Sequence, residues 1–300
     1  MTIEQILDDI KSDRVKKIIF DSDTFAEIDD QYALAYAFGN PKFDVIGATA
    51  VQYHDKVDST KDGVEKSYKE ILRVMENTHT TGRCPAFCGA RELIDDQPGF
   101  AFVENEASRF IVETAMASDE IIYVPATGAL TNIGCAILME PKIVEKICVL
   151  FVGCCAIETV YQYEHNVNQD YAAAQIVFNS GVPLVLLPAV GNPDHGTIML
   201  EYPVAKLRDE ILSHDSDTCR FFKNNLLPRG TAPQYIFWDL AAPGVLSVPE
   251  AFEFSIRPTP FLTDDRKFVF DSTRHKMIYM EEINPGPIFE DAFKCMQNLN

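Results

Sequence analysis

Three hundred residues with 47% hydrophobic content can bury one large core, and 45 acidic against 26 basic side chains leave a formal charge of -19. That balance excludes a nucleic-acid phosphate backbone or an anionic membrane surface as partner, because clustered Lys and Arg grip both. The longest apolar run, 147–157, is too short to cross a bilayer, so a small neutral or cationic ligand fits best.

In chain order, 1–17 reads as a charged amphipathic helix without the apolar core of a secretory signal. A cytoplasmic protein with reduced, mostly buried thiols is therefore expected. Cys84 and Cys88 lack a matching second pair, which argues against zinc. Short runs rich in Ile and Val at 17–21, 43–51, 121–125, 147–152 and 183–187 read as strands covered on both faces. Helical periods lie between them at 30–38, 63–75, 104–116, 130–139 and 171–179. This alternation predicts an α/β fold, a mainly parallel central sheet flanked by helices. The last third changes character, with helices at 204–212 and 217–226, strands at 252–256, 267–270 and 276–281, and a closing helix at 287–297. No linker or repeat divides the chain, so 1–300 reads as a single domain with a C-terminal elaboration.

The first strand, Lys17-Ile18-Ile19-Phe20, runs into Asp21, Asp23, Glu27, Asp29 and Asp30, five acids within ten residues. Such a density repels itself unless a cation is present, and carboxylates without basic neighbours suit a hard divalent ion such as Ca²⁺ or Mg²⁺. Helix capping accounts for one or two acids before 31–38 but not for Asp21 and Asp23, which belong to the strand end. Ligands of such sheets bind outside the carboxyl ends of the strands.

Three later segments follow other strands. Thr127-Gly128-Ala129-Leu130-Thr131-Asn132 is a tight turn opening a helix, where a backbone carbonyl offers a neutral metal ligand and Thr131 or Asn132 reads as a cap. Glu164-His165-Asn166 through Asp170 reads as an extended loop whose groups two apart bracket a polyol, with Asp170 capping the next helix. Trp238-Asp239 sets the only tryptophan beside an acid.

Together, in this order, the segments resemble the nucleoside hydrolase family, the calcium-dependent N-ribohydrolases of the inosine-uridine-preferring type. Its Asp-x-Asp followed by an Asp pair is matched by Asp21, Asp23, Asp29 and Asp30 across a longer loop. Its Thr-Gly-x-Leu-Thr-Asn turn is matched by Thr127 to Asn132, its Glu-Phe-Asn segment by Glu164-His165-Asn166, and its late His-Asp pair by Trp238-Asp239. The resemblance implies a Rossmann-like core and an enzyme that cleaves ribonucleosides to base and ribose. It implies Ca²⁺ held by Asp23, Asp30, the Thr127 carbonyl and Asp239, with Asp23 also serving as base toward the attacking water. Asp29 and Asn166 would hold the ribose 2′- and 3′-hydroxyls, and Glu164 the 5′-hydroxyl. A homo-oligomer, dimer or tetramer, is implied as well.

The chain departs from the family at three places. Trp238 stands where many relatives carry a histidine; its face would stack on a purine and favour the protonated base, with Phe87, Phe100, Tyr235 or Phe237 as the second ring. His54 replaces an Asn, a candidate proton donor against the plainer reading of a solvated loop histidine. Glu158 replaces an amide. Two alternatives remain. Asp21-Ser22-Asp23-Thr24 is similar to the start of haloacid dehalogenase-type phosphatases, with Asp21 as nucleophile, and the altered leaving-group residues would also suit a non-catalytic nucleoside or ribose-binding protein.

Overall fold

The computed structural model describes residues 1–53, 62–190 and 195–299; His54 lies outside them. After α1 (Ile3–Ile10) come β1 (Lys16–Ser22), α2 (Asp29–Gly39), β2 (Phe43–Ala50), α3 (Gly63–Asn77), β3 (Ala86–Cys88), α4 (Glu106–Ala117), β4 (Ile122–Ala126), α5 (Thr131–Met139) and β5 (Ile147–Val152). The chain continues through α6 (His165–Gln169), α7 (Tyr171–Asn179), β6 (Leu184–Leu187), β7 (Glu201–Pro203), α8 (Val204–Lys206), α9 (Asp217–Asn225) and β8 (Gln234–Ile236). It closes with α10 (Ala241–Ser247), β9 (Phe252–Pro258), β10 (Phe261–Leu262), β11 (Phe268–Val269), β12 (Lys276–Ile283) and α11 (Pro285–Gln297).

Eight strands form one sheet in the order β3-β2-β1-β4-β5-β6-β12-β9, parallel except for the β12–β9 pair. Side chains alternate between two cores, as the pleat requires. Along β5, Cys148, Leu150 and Val152 enter one core, whereas Ile147, Val149 and Phe151 enter the other. The first core is closed by α2, α3, α10 and α11, the second by α4, α5 and α7. Burial on both faces explains why these strands read as unbroken apolar runs.

Four expectations needed correction in detail. The helix at 1–17 ends at Ile10, because Lys16 already pairs with Phe43 in the sheet. The helix at 204–212 is the short α8 running into a π-turn, Leu207–Ile211. The strand at 267–270 shrinks to β11, paired only with β10 in a separate hairpin. Finally, the C-terminal elaboration is partly built into the main sheet, where β12 pairs with β6 and β9 forms an edge.

Strand order reverses between β1 and β4, which lie side by side although α2, β2, α3, β3 and α4 separate them in sequence. Such a switch point opens a crevice at the carboxyl ends of the two strands. Asp21 lies at the end of β1 there, Asp23 just beyond it, and Thr127 just beyond β4.

Candidate active site

The crevice holds a cavity of about 310 Å³ whose lining includes six acids, Asp23, Glu27, Asp29, Asp30, Glu164 and Asp239, and, among the described residues, no Lys or Arg. Thr127, Asn166 and Trp238 line it too. Four segments far apart in sequence therefore meet at one place. Asp29 and Asp30 enter on the first turn of α2 without capping it, where the helix dipole favours negative charge.

Asp30 is held by two hydroxyls, Ser22 Oγ at 2.7 Å and Thr127 Oγ1 at 2.8 Å, both donating to Oδ1. Asp29 Oδ2 accepts the Asp239 backbone N–H at 3.3 Å. Asp29, Asp30 and Asp239 offer oxygens that lie within 4.8 Å of one another. Asp23 lines the same cavity, and its Oδ2 is buried without a hydrogen-bond partner among the described residues. A Cβ on Gly128 would come 2.9 Å from Asp23 Cγ, so the 127–132 turn needs glycine to pass the acid this closely.

Burial dominates the electrostatics. It pushes Asp30 up to about 6, despite the hydroxyls that stabilise its charge. Asp23, Asp29 and Asp239 are driven well above the usual carboxylate range, first by burial and then by neighbouring carboxylates, Asp30 foremost for Asp23 and Asp29, and Asp29 for Asp239. Several buried anions without a counter-charge are costly. An all-oxygen donor set, an orphaned carboxylate oxygen and the lack of Lys or Arg among the described wall residues fit a hard divalent cation such as Ca²⁺.

Asp21 is different. Its Oδ1 accepts from Thr49 Oγ1 at 2.6 Å and Asn132 Nδ2 at 2.8 Å, tying β2 and α5 to β1, and it is not part of the cavity wall. The phosphatase reading thereby loses its nucleophile. Thr131 and Asn132 do not cap α5. Thr131 donates to Asp170 at 2.8 Å, and Asn132 reaches Asp21 and the Ala50 carbonyl.

The segment read as an extended loop at 164–170 is a helical turn, α6. Glu164 caps it, accepting from the N–H groups of Asn166 at 2.9 Å, Val167 at 3.0 Å and Cys154 at 2.9 Å. A capping acid looks the same in sequence as a loop acid, so the pattern misled. Burial lifts Glu164 to about 7 even against these donors. Asp170 caps α7 as expected, accepting from Ala173 N–H.

Trp238 is half-buried at the wall, but none of its expected ring partners joins it there. Phe87 stacks on Phe110, Phe237 packs against Tyr32 and Phe289 in the core, and Phe100 is exposed on a turn. Tyr235 lies edge-on to Phe237. The second ring at the wall is Tyr163, 64% exposed and stacked on Tyr161 at 5.6 Å. Tyr163 and His165 were missed as wall residues, and Glu27, counted among the five acids, was given no role of its own; the capping turn and the β1–α2 loop bring them there.

Among the described residues no helix is long and apolar enough to cross a membrane. A plant nucleoside hydrolase superposes with a TM-score of 0.73 at 16% identity, covering 94% of this chain and 99% of that one. A purine-preferring ribonucleoside hydrolase from Gardnerella vaginalis gives 0.69 at 18% identity, covering 95% and 99%. At these identities the likeness establishes the fold. The pyrimidine-specific ribonucleoside hydrolase RihB of Escherichia coli is 30% identical over 196 residues, a match that covers 57% of this chain and 59% of that relative's length. Residues 18–274 match the family described as inosine-uridine preferring nucleoside hydrolase, and to that family this chain belongs.

Proposed function

We propose that this protein hydrolyses the N-glycosidic bond of ribonucleosides, with purines preferred, releasing free base and ribose. The observation that carries the reading is the meeting of Asp23, Asp29, Asp30 and Asp239 with Glu164 and Asn166 in one cavity that, among the described residues, has no Lys or Arg in its wall. The chain 1–300 would act as one unit, in the cytoplasm and as a homo-oligomer.

The residues suit the chemistry. Breaking the bond builds positive charge on the ribose, as in other glycosyl transfers, and buried carboxylates around the sugar stabilise that charge. Asp29 and Asn166 hold the vicinal hydroxyls, and Glu164 receives the 5′-hydroxyl from its fixed place at the start of α6. Asp23, with a buried oxygen free of partners, takes the proton of the attacking water. Asp23, Asp30, Asp239 and the Thr127 carbonyl would hold Ca²⁺, which when bound supplies the positive charge that eases deprotonation of that water. Trp238 stacks on the base and favours its protonated form. His54 remains a candidate proton donor to the leaving base.

The test is incubation with inosine, adenosine, guanosine, uridine and p-nitrophenyl phosphate, with and without EDTA, following base, ribose and phosphate. Ribose release that chelation abolishes supports the proposal. Phosphate release would favour the phosphatase, and tight nucleoside binding without turnover would leave a binding protein.

A further inference from the structure

One contact that two acids of the cavity wall, Asp29 and Glu27, make behind it is not used by the proposed chemistry. Tyr235 Oη lies 3.4 Å from Asp29 Oδ1 and 3.5 Å from Glu27 Oε2. A phenol keeps its proton at neutral pH and has only one to give. Two carboxylates therefore compete for one donor, and both distances lie at the long end of the hydrogen-bond range.

The two sides of this contact are anchored differently. Tyr235 belongs to β8, where it pairs with Tyr202 of β7, and its ring sits edge-on at 5.0 Å from the fully buried Phe237. Asp29 is fixed in α2, and its other oxygen already accepts the Asp239 N–H. Glu27 sits on the loop between β1 and α2, exposed at the cavity wall. With the phenol donating, both Asp29 oxygens are oriented and the remaining lone pairs point in fixed directions. With the phenol turned to Glu27, one Asp29 oxygen loses its donor.

We propose that Tyr235 is a positioning residue for Asp29, and that Glu27 competes for the same phenolic proton, so the pair sets how firmly the site grips a ribose hydroxyl. The inference rests on the proposed role of Asp29 as a hydroxyl acceptor. It adds a control on that role, placed on the loop between β1 and α2.

The experiment measures binding of inosine, 2′-deoxyinosine and 3′-deoxyinosine by calorimetry in calcium, alongside kcat/KM wherever turnover occurs. Tyr235→Phe keeps the ring and removes the donor. It is expected to lower the preference for inosine over the analogue lacking the hydroxyl that Asp29 receives, by about five- to tenfold. Glu27→Ala should raise that preference, and the double variant should match Tyr235→Phe alone, because no proton is left to compete for. Equal weakening of all three ligands in Tyr235→Phe would mark a merely structural role and overturn the inference. So would a further loss on adding Glu27→Ala to Tyr235→Phe. Hydrolysis with an unchanged preference sinks this inference and spares the proposed function; binding without hydrolysis does the reverse, since the preference is still read from affinity.

Discussion

The side-chain amide of Asn166 donates to two backbone carbonyls at once, that of Thr127 at 3.0 Å and that of Val152 at 2.9 Å. It clasps the ends of β4 and β5 beneath the cavity, and the Thr127 oxygen keeps a second lone pair for a cation. Asn166→Asp would turn both donors into lone pairs facing carbonyl oxygens. We expect it to cost about 2–4 kcal/mol of stability and to weaken ribose binding. A urea midpoint equal to wild type would show that the clasp contributes nothing.

Stability without calcium should fall as pH rises. Asp21 and Asp30 are pushed to about 6 and Glu164 to about 7, in each case chiefly by burial. Because these folded values exceed the unfolded ones, the folded chain binds protons more tightly. Their stabilising effect is complete below the unfolded pKa and disappears as pH climbs through 6 and 7. A two-unit shift is worth about 3 kcal/mol. Thermal melts in EDTA should accordingly decline between about pH 5 and 8, and calcium should offset the decline by favouring the carboxylate forms. A melting temperature in EDTA that rises across this range would refute the account.

Asp23→Asn removes one charge from a group of mutually repelling buried acids. The variant should be more stable than wild type in EDTA, by about 1 kcal/mol or more, and yet release no ribose. Paired chelator melts and ribose assays decide the matter. Turnover near that of wild type would remove Asp23 from the proposed base role.

Trp238→Ala should lower kcat/KM for inosine by about tenfold and for uridine by less, since a purine offers the larger face to the indole. Steady-state assays with both nucleosides make the comparison. Equal losses would leave the stacking argument without support.

Much of the fold could be read from residues alone where burial is complete. β5 spans 147–152 as expected, because all six of its residues are buried and apolar. Short strands at a sheet edge or in a small separate pair, such as β3, β7 and β8, three residues each, carry no such pattern. At the site, the acids were legible because five in ten residues have few structural excuses. Asn132 was not, since its partner Asp21 lies 111 positions away and nothing local distinguishes such a residue from a cap. Tyr163 was hidden for a related reason: an exposed ring before a capping turn gains a purpose only from what the tertiary fold sets opposite it.

Asp29 and Asp239 share a hydrogen bond across 210 positions. A ribosome must therefore release most of the polypeptide before the last carboxylate arrives. Until then the amino-terminal strands can be in register while the acid cluster is incomplete, so the proposed hydrolysis would switch on late in synthesis rather than ripen by degrees.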